Sequence, residues 1–513
     1  MKTRLLAILA AGSAAALLVA CGGSGGGGDK SPPPPPPPPP SLDSQLRTVI
    51  ASKGLTGDPT AGRSLPSIND PLAQLGKLLF FSKSLSGDMD VACASCHHPT
   101  LGGGDGLALP VGTGALDPDV VGPGRERPDG LPNVGRHSQS VFNTGLYDDS
   151  MFWDGRVESI GKDAGQNGTG SGIRTPESAL NTADTLVPAG SSLLAAQARF
   201  PVTIAEEMLG TFMPGADPED VRKRLAERIG DYGAGAGELA NNNWLAEFQT
   251  AFASAEPAEQ LITFDNIALA LAEYQRSMVF VDNPWNAYVQ GDNTAISEQA
   301  KEGALLFYGD LNPGLECDQC HGGDFFTDER QTITGFPQIG PGKGDATTGD
   351  GDFGREQQSG DSAHRFMFRN PTLLNVAVTG PYTHAGVYDI RDATGHYFIP
   401  DVVFDQTLPA GSVCAVPQFA DHSDCATLFP NVVANSNAAL NAVINQRTID
   451  PTLTFPDLFF SPVTDGPPVL AFLEALTDPC TQDRACLAAW IPDPSEAPDD
   501  NQLNAVDING NAL

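Results

Sequence analysis

The chain contains the pattern Cys-x-x-Cys-His twice, as Cys93-Ala94-Ser95-Cys96-His97 and as Cys317-Asp318-Gln319-Cys320-His321. At this spacing two thiols can form thioether bonds to one haem while the adjacent histidine ligates its iron. With nine Cys and eight His in the chain, chance would supply roughly 0.002 copies of the pattern. A redox Cys-x-x-Cys pair and half of a zinc site are the alternatives. The repeat favours two covalently bound haem c groups, one at each motif.

The first residues have the form of an export signal. A basic start is followed by an apolar stretch, residues 5–20, that ends in Leu18-Val19-Ala20-Cys21. This stretch is too short to span a bilayer and predicts a lipoprotein signal peptide over residues 1–20. We expect Cys21 to carry the lipid of a periplasmic protein, as its only membrane contact. Gly22 follows the lipid site, which favours anchoring in the outer membrane.

Residues 21–45 form a Gly- and Pro-rich linker that includes nine consecutive prolines, residues 32–40. We interpret the prolines as a polyproline II spacer behind a flexible tether; a ligand for proline-recognition domains is the alternative. The remaining length suits two domains. We predict an N-terminal haem domain over 46–290, a C-terminal haem domain over 291–480, and a C-terminal tail over 481–513.

The chain is strongly acidic, with a formal net charge of −34. Loss of Lys2 and Arg4 with the leader brings the mature charge to −36. Such a surface argues against nucleic acid and anionic lipid as partners. It can keep copies of the protein apart in solution, or it can steer a basic redox partner.

Four cysteines remain once the lipid site and the haem motifs are assigned. In an oxidising compartment, local disulfides are the natural pairing for them. The pairs are Cys414–Cys425 and Cys480–Cys486. Export agrees with haem attachment, which also takes place outside the cytoplasm.

A helix is predicted directly before each haem motif. Residues 70–81 have Asp70 at the N-cap position, Pro71 at the first helical position and apolar residues spaced by three and four. Residues 298–307 repeat this arrangement, and no strand-like alternation is sustained along the chain. A duplicated helix and haem motif is typical of cytochrome c. We therefore predict a mainly α fold of two cytochrome c-like haem domains that meet at a haem-pair interface.

Other helices and insertions complete this prediction. The helical spacing of apolar residues recurs over 218–229, 265–278 and 469–476. Three segments rich in Gly, Asp, Thr and Pro are expected to be long surface insertions: residues 161–188, 340–361 and 401–465.

Further stretches accompany the two haem motifs in a fixed order. They include Leu75-Gly76-Lys77-Leu78-Leu79-Phe80, Ser140-Val141-Phe142-Asn143, Phe152-Trp153-Asp154-Gly155-Arg156, Asn370-Pro371-Thr372-Leu373-Leu374-Asn375 and Pro381-Tyr382-Thr383-His384-Ala385-Gly386. Together they resemble the bacterial di-haem cytochrome c peroxidase family, which includes the MauG-type enzymes. The resemblance runs from about Leu72 to Thr477, apart from the insertions.

The resemblance implies an enzyme in which one haem reacts with hydrogen peroxide and the other relays electrons. It makes His97 the proximal ligand of the peroxidatic haem and His321 that of the electron-transfer haem. Trp153 matches a tryptophan that lies between the two haems, although large aromatic residues more often serve packing. A calcium ion between the haems is also implied, held by residues that match Asn143, Thr379 and Pro381.

The resemblance also places an acid–base glutamate at Glu207, with a pocket glutamine and proline at Gln197 and Pro201. Cleavage of peroxide needs an open iron position and a base that takes a proton from one oxygen and returns it to the other. A carboxyl group in an apolar pocket, with its pKa raised toward neutrality, can do both. Glu206 is the alternative, and a single Glu is more often on a solvated helix face.

The chain departs from the family pattern at two iron ligands. Typical members carry a loop histidine that blocks the peroxide site, but no His occurs between His98 and His137. The peroxidatic haem is therefore expected to be open at rest, with His137 as the alternative blocking ligand. Typical members also ligate the relay haem with a Met, whereas this chain has no Met after Met367. Tyr397 stands at the matching place, with His396 as its competitor.

Three functions are compatible with these observations. The preferred one is a cytochrome-c-peroxidase-type oxidoreductase that reduces hydrogen peroxide to water. Its electrons would come from a small cytochrome c or copper redox protein and pass from the second haem to the first. The second is a MauG-like enzyme that oxidises side chains of a partner protein, favoured by the open site and by Tyr397. The third is a non-enzymatic di-haem electron carrier, which the surroundings of Glu207 disfavour. A homodimer is left open.

Overall fold

The computed structural model describes residues 40–313, 315–343, 351–388, 418, 429–449 and 463–513. Over these residues the chain is mainly helical with little strand, which confirms the predicted class. The α-helices, numbered in chain order, are α1 Leu42–Lys53, α2 Pro71–Phe80, α3 Leu193–Gln197, α4 Pro218–Gly230, α5 Trp244–Ala251, α6 Ala258–Leu261, α7 Phe264–Arg276, α8 Pro284–Val289, α9 Glu298–Phe307, α10 Glu356–Ser359, α11 Val432–Ile449, α12 Gly466–Glu474 and α13 Arg484–Leu487.

The strands are only two or three residues long and form two small antiparallel sheets. The strands are β1 Ser150–Met151, β2 Val157–Ser159, β3 Ile173–Arg174, β4 Gln331–Ile333 and β5 Met367–Arg369. The first sheet has the order β1-β2-β3, with Met151 opposite Val157 and Ser159 opposite Ile173. The second pairs β4 with β5, with Thr332 opposite Phe368.

Helix α2 begins where the sequence predicts, but its cap differs. Asp70 stands at the N-cap, yet its carboxylate accepts a hydrogen bond from the Ser67 N–H at 3.0 Å and caps no helix amide. The helix crosses α7 at very close range, since a Cβ atom on Gly76 would lie 1.9 Å from the Ala270 carbonyl oxygen. Only a glycine permits this approach.

Helix α9 repeats this arrangement before the second haem motif. The Ser297 hydroxyl accepts a hydrogen bond from the Ala300 N–H at 3.1 Å and caps the helix. A Cβ atom on Gly303 would lie 1.9 Å from the carbonyl oxygen of Pro468, in α12. The duplication seen in the sequence therefore extends to the packing of each helix on a later one.

The two largest groups of buried apolar side chains follow the same division, but the chain ends cross it. Leu46 and Ile50 of α1 join the core around α9 and α12. Leu487 and Leu503 join the core around α2 and α7, and the Leu503 N–H donates to the Phe81 carbonyl at 2.8 Å. Each terminal segment therefore packs on the core of the other half of the chain, and the domain boundaries at residues 46 and 480 stay predictions.

The segments predicted to be surface insertions are more structured than expected. Strand β3 lies in the first of them, where Arg174 and Thr175 are buried. In the second, Asp352 is buried. Helix α11 lies in the third, with Val443 fully buried. The expectation of surface loops is wrong for these parts. No helix within the described ranges is long and apolar enough to cross a bilayer.

Candidate active site

A cavity lies against the first haem motif. The short 3₁₀ turn Cys93–Ser95 brings Cys93, Cys96 and His97 to its wall. Neither thiol is in a disulfide, and burial raises the pKa of Cys93 to about 12. Among the described residues, no group of three or more His, Cys, Asp or Glu side chains could hold a metal ion, which disfavours the zinc alternative. Two thiols beside one imidazole fit the attachment of a haem.

The imidazole of His97 is in the neutral form. Burial lowers its pKa, so the ring is uncharged at neutral pH. Its Nδ1 makes no hydrogen bond of ordinary geometry among the described residues, although the backbone of Gly103 and Gln139 lies beside the ring. A neutral imidazole is the form that binds iron.

Glu207 lies in a single π-helical turn, Ala205–Leu209, which turns it toward the cavity and leaves the Glu206 side chain exposed. The Asn133 amide donates to the Glu206 carbonyl at 3.2 Å. Gly112 packs on the same carbonyl, since a Cβ there would lie 2.0 Å from it. The backbone is thus held from two sides, and Glu207, not Glu206, faces the cavity.

The surroundings of Glu207 are charged, contrary to the sequence-based expectation. The Lys343 Nζ lies 3.2 Å from its Oε1, and Arg156 lies 4.0 Å away. Burial by itself would raise the pKa of Glu207, but the charges of Lys343 and Arg156 and the hydrogen bond from Lys343 lower it overall. The expected apolar pocket with a raised pKa is therefore wrong, and this carboxylate is ionised at neutral pH.

Gln197 and Pro201 lie in the wall of the same cavity as Glu207. Ser192 caps α3 by accepting a hydrogen bond from the Ala195 N–H at 3.2 Å, and Gln197 is the last residue of this helix. Pro201 begins the 3₁₀ turn that follows. The structure thus brings together Gln197, Pro201 and Glu207, the three residues that their spacing in the sequence predicts to share one pocket.

The second haem motif also holds its histidine in an orientation that suits metal binding. The turn Cys317–Gln319 precedes His321, whose Nδ1 lies 3.1 Å from the Pro371 carbonyl oxygen. A ring that donates from Nδ1 to a carbonyl presents Nε2 as the metal-binding atom. Burial lowers the pKa of His321 and raises that of Cys317 to about 12. These residues also fit a covalently attached haem.

Comparison with known proteins supports one family. Residues 70–294 match the family model for di-haem cytochrome c peroxidase. This match supports assignment of residues 70–294 to the di-haem cytochrome c peroxidase family. This family carries two c-type haems.

Relatives in the family carry both of its functional names. The chain is 28% identical over 329 residues to cytochrome c551 peroxidase from Pseudomonas aeruginosa, covering 64% of this chain and 71% of the relative. It is 29% identical over 327 residues to methylamine utilization protein MauG from Methylorubrum extorquens, covering 63% and 67%. The diheme peroxidase BthA from Burkholderia thailandensis has the same fold, with 20% identity, a TM-score of 0.50, and coverage of 88% of this chain and 93% of BthA.

Trp153, the tryptophan expected between the haems, contacts both halves of the chain. Its indole N–H donates to the His137 carbonyl at 2.9 Å, and its own carbonyl accepts from the Arg369 N–H at 2.7 Å. The side chain also lines the cavity. Arg156, three residues on, stacks on Phe152 with its guanidinium carbon 3.6 Å from the ring centre.

A buried ion-pair network lies behind Trp153. Arg136 makes two hydrogen bonds to the Asp352 carboxylate, at 2.6 and 2.7 Å. The same guanidinium lies 2.7 Å from a carboxylate oxygen of Asp154. Burial by itself would raise the pKa of both carboxyl groups, but the charge of Arg136 lowers both. The network ties the segment around residue 352 to the Trp153 loop.

One further histidine, His137, lines the cavity, and a second, His384, contacts the backbone of His137. The Nδ1 of His137 lies 2.9 Å from the Leu107 carbonyl, and burial lowers the pKa of His137 to about 4. The backbone N–H of His137 donates to the His384 carbonyl at 2.9 Å. His384 stacks on Phe368 at 3.9 Å between ring centres. Because His137 reaches the cavity, the alternative in which it blocks the iron stays a prediction.

The residues predicted to bind calcium only partly fit a cation. Asn143 uses its amide in two hydrogen bonds with Phe280, accepting from the N–H at 2.8 Å and donating to the carbonyl at 3.1 Å. Its oxygen keeps one further lone pair. Thr379 and Pro381 are predicted ligands with no other support, and calcium stays a prediction.

Several predicted residues lie outside the described part of the chain. They are Cys21, His396, Tyr397, Cys414 and Cys425. The lipid site, the second ligand of the relay haem and the first disulfide therefore stay predictions.

The other cysteine pair is described. Cys480 and Cys486 form a disulfide. This disulfide lies against the core around α2 and α7, next to the segment that carries Leu487.

Sequence reasoning missed Lys343. It stands in a Gly-rich segment that reads as a surface insertion, and nothing local to it signals a functional role. Its contact with Glu207 joins residues 136 positions apart. No sequence signal indicates that this segment folds inward, because the burial of Asp352 is visible only in the structure.

Proposed function

We propose that this protein is a di-haem c-type peroxidase that converts hydrogen peroxide, two electrons and two protons into two water molecules. The observation that carries the proposal is that Glu207 and Gln197 share one cavity with the first haem motif. A carboxylate beside an iron site is the arrangement that cleavage of peroxide requires.

Haem c at each motif would supply the iron centres for peroxide reduction and electron transfer. The residues proposed to hold the two haems are Cys93, Cys96, His97, Cys317, Cys320 and His321, with Tyr397 as the second ligand of the relay haem.

Glu207 would move the proton. As an ionised base, its carboxylate would take the proton from one peroxide oxygen and return it to the other oxygen, which leaves as the first water. The remaining oxygen becomes the second water when the two electrons and two protons are supplied. Its lowered pKa suits both steps, because the base is free at neutral pH and the protonated form gives the proton up readily. Gln197 and Pro201 would shape the space that peroxide enters.

Electrons would enter at the second haem and pass by Trp153 to the first. The contacts of Trp153 with His137 in one half and with Arg369 in the other support this route. A small cytochrome c or copper protein would be the donor. The acidic surface favours a basic donor through electrostatic steering.

The test is Glu207→Gln, with Glu206→Gln as the matched control. We expect Glu207→Gln to lower peroxide turnover by at least 10²-fold, in the range for loss of a general acid–base group, with both haems still attached. Glu206→Gln should keep wild-type turnover, because that side chain is exposed. Equal activity of the two variants would remove Glu207 from the mechanism.

A MauG-like oxidation of protein side chains is the second candidate. The 29% identity to MauG and the lack of any His between His98 and His137 favour it. Rapid oxidation of a small donor by peroxide would support the peroxidase. Slow donor oxidation together with a peroxide-dependent covalent change in a co-purified protein would support the MauG-like enzyme. Two haems that bind neither cyanide nor peroxide would indicate an electron carrier.

We also propose that the protein is a periplasmic lipoprotein anchored in the outer membrane through Cys21. The sequence Leu18-Val19-Ala20-Cys21 supports this location. A Cys21→Ser variant should move from the membrane fraction to the soluble periplasmic fraction. An unchanged distribution would refute the anchor.

A further inference from the structure

Lys343 reaches the active-site cavity from a segment that the sequence marks as a surface insertion. It lines the cavity together with His97, Gln197 and Glu207. Its Nζ donates to the Oε1 of Glu207 at 3.2 Å. The Lys343 side chain is only 22% exposed and that of Glu207 only 18%, so water screens this pair weakly.

The backbone that carries Lys343 is fixed to the rest of the protein. A Cβ atom on Gly135 would lie 1.8 Å from the Gly342 carbonyl oxygen, so the two backbones are in direct contact. The Lys343 N–H donates to the Gly351 carbonyl at 3.1 Å. The next residue, Asp352, is held by the Arg136 guanidinium at 2.6 Å. These contacts place the ammonium group at the carboxylate.

The other charged groups around Glu207 do not replace Lys343. Arg156 is more distant, at 4.0 Å, and its guanidinium also pairs with Asp154 at 3.5 Å. The interaction of His97 with Glu207 would be purely electrostatic, and it is absent while burial keeps the His97 ring neutral. Lys343 is thus the only cation among the described residues that donates a hydrogen bond to this carboxylate.

We propose that Lys343 is a positioning residue that holds the Glu207 carboxylate ionised and oriented toward the peroxide site. The proposal rests on the proposed peroxidase function. It adds an active-site residue supplied by the 340–361 insertion, which would make that insertion part of the chemistry. Loss of the ammonium group would raise the pKa of Glu207, so that the base would be protonated, and idle, at mildly acidic pH.

The experiment measures the rate of reaction of the haem-loaded protein with hydrogen peroxide from pH 4.5 to pH 8 by stopped-flow spectroscopy. The variants are Lys343→Met, which removes the charge, and Lys343→Arg, which keeps it. Lys162→Met is the matched control, because Lys162 also pairs with carboxylates, at 3.4 and 3.5 Å, but outside the cavity.

We expect the acidic limb of the Lys343→Met profile to move upward by about 1 pH unit, the lower end for loss of an adjacent cation. At a given pH on that limb, the rate of Lys343→Met should be about tenfold below that of wild type, while the two rates at pH 8 should be similar. Lys343→Arg should restore most of the profile, and Lys162→Met should match wild type. Melting temperatures of all variants show whether each one folds.

A folded Lys343→Met variant with a wild-type profile would overturn the proposal. A uniform loss of rate at every pH would also overturn it, because a merely structural role has that effect. If wild-type protein itself fails to react with peroxide, the proposed function fails instead, and the two failures are thereby distinguished.

Discussion

The close contact between α2 and α7 allows a quantitative prediction for Gly76→Ala. The new Cβ would lie 1.9 Å from the Ala270 carbonyl oxygen and 2.7 Å from the Tyr274 Cβ. To reach an ordinary separation of about 3.5 Å, the two helices must move apart by about 1.6 Å. Neither obstacle is the end of a flexible side chain, so the helices themselves must shift.

The expected loss of unfolding free energy in Gly76→Ala is the balance of two opposing effects. Overpacking of this kind costs up to about 3 kcal/mol, whereas replacing a helical Gly by Ala recovers about 1 kcal/mol. We therefore expect Gly76→Ala to lower the free energy of unfolding by about 2 kcal/mol. Gly303→Ala should behave alike, because its Cβ would lie 1.9 Å from the Pro468 carbonyl oxygen.

The assay is urea unfolding of the haem-loaded protein, followed by the absorption of each haem. Gly76→Ala should perturb the first haem before the second, and Gly303→Ala the second before the first. Gly215→Ala is the control, because no atom lies within 4 Å of its Cβ position and only its φ of +75° opposes alanine. If Gly76→Ala lowers the free energy of unfolding by less than the control does, the helices do not meet at this glycine and the packing argument fails.

Three further predictions concern electron transfer and the ion-pair network. Trp153→Phe should slow donor-dependent turnover more than the single reaction of the first haem with peroxide, measured by steady-state and stopped-flow assays; equal effects would argue against a relay. Tyr397→Phe should change the low-spin spectrum of one haem only, and two unchanged spectra would refute the ligand. Arg136→Met should lower stability by about 3 kcal/mol or more at pH 7, because it strands two buried carboxylates. Since Arg136 lowers the pKa of Asp154 and Asp352, their contribution is present above pH about 4 and is lost as the pH falls. The difference between wild type and Arg136→Met should therefore shrink below pH about 4, and a constant difference would contradict the assignment.

Local patterns in the sequence predicted local structure well. The helix before each haem motif begins within one residue of its predicted start, because capping residues and apolar spacing act over a few positions. The Asp70 cap is a partial exception, since the carboxylate pairs with Ser67 instead of the helix. The insertions were predicted less well, because Gly- and Asp-rich composition does not show that Asp352 meets a buried arginine.

The electrostatics of the site could not be predicted from sequence. The apolar neighbours of Glu207 along the chain suggested a raised pKa. The residues that set its charge state, Lys343 and Arg156, are remote in sequence and lower it. A pKa depends on distances of a few ångströms, which neighbours in sequence do not determine.

The sequence alone indicated where haem can be attached, the repeated helix before each attachment point and the resemblance to one family, because these features lie within short stretches. The tertiary structure decided which of two adjacent glutamates faces the cavity and which cation pairs with it. It also decided that each end of the chain packs on the core of the other half. These outcomes depend on contacts such as that between Glu207 and Lys343, 136 positions apart. Such contacts arise only when burial of apolar surface brings distant segments together.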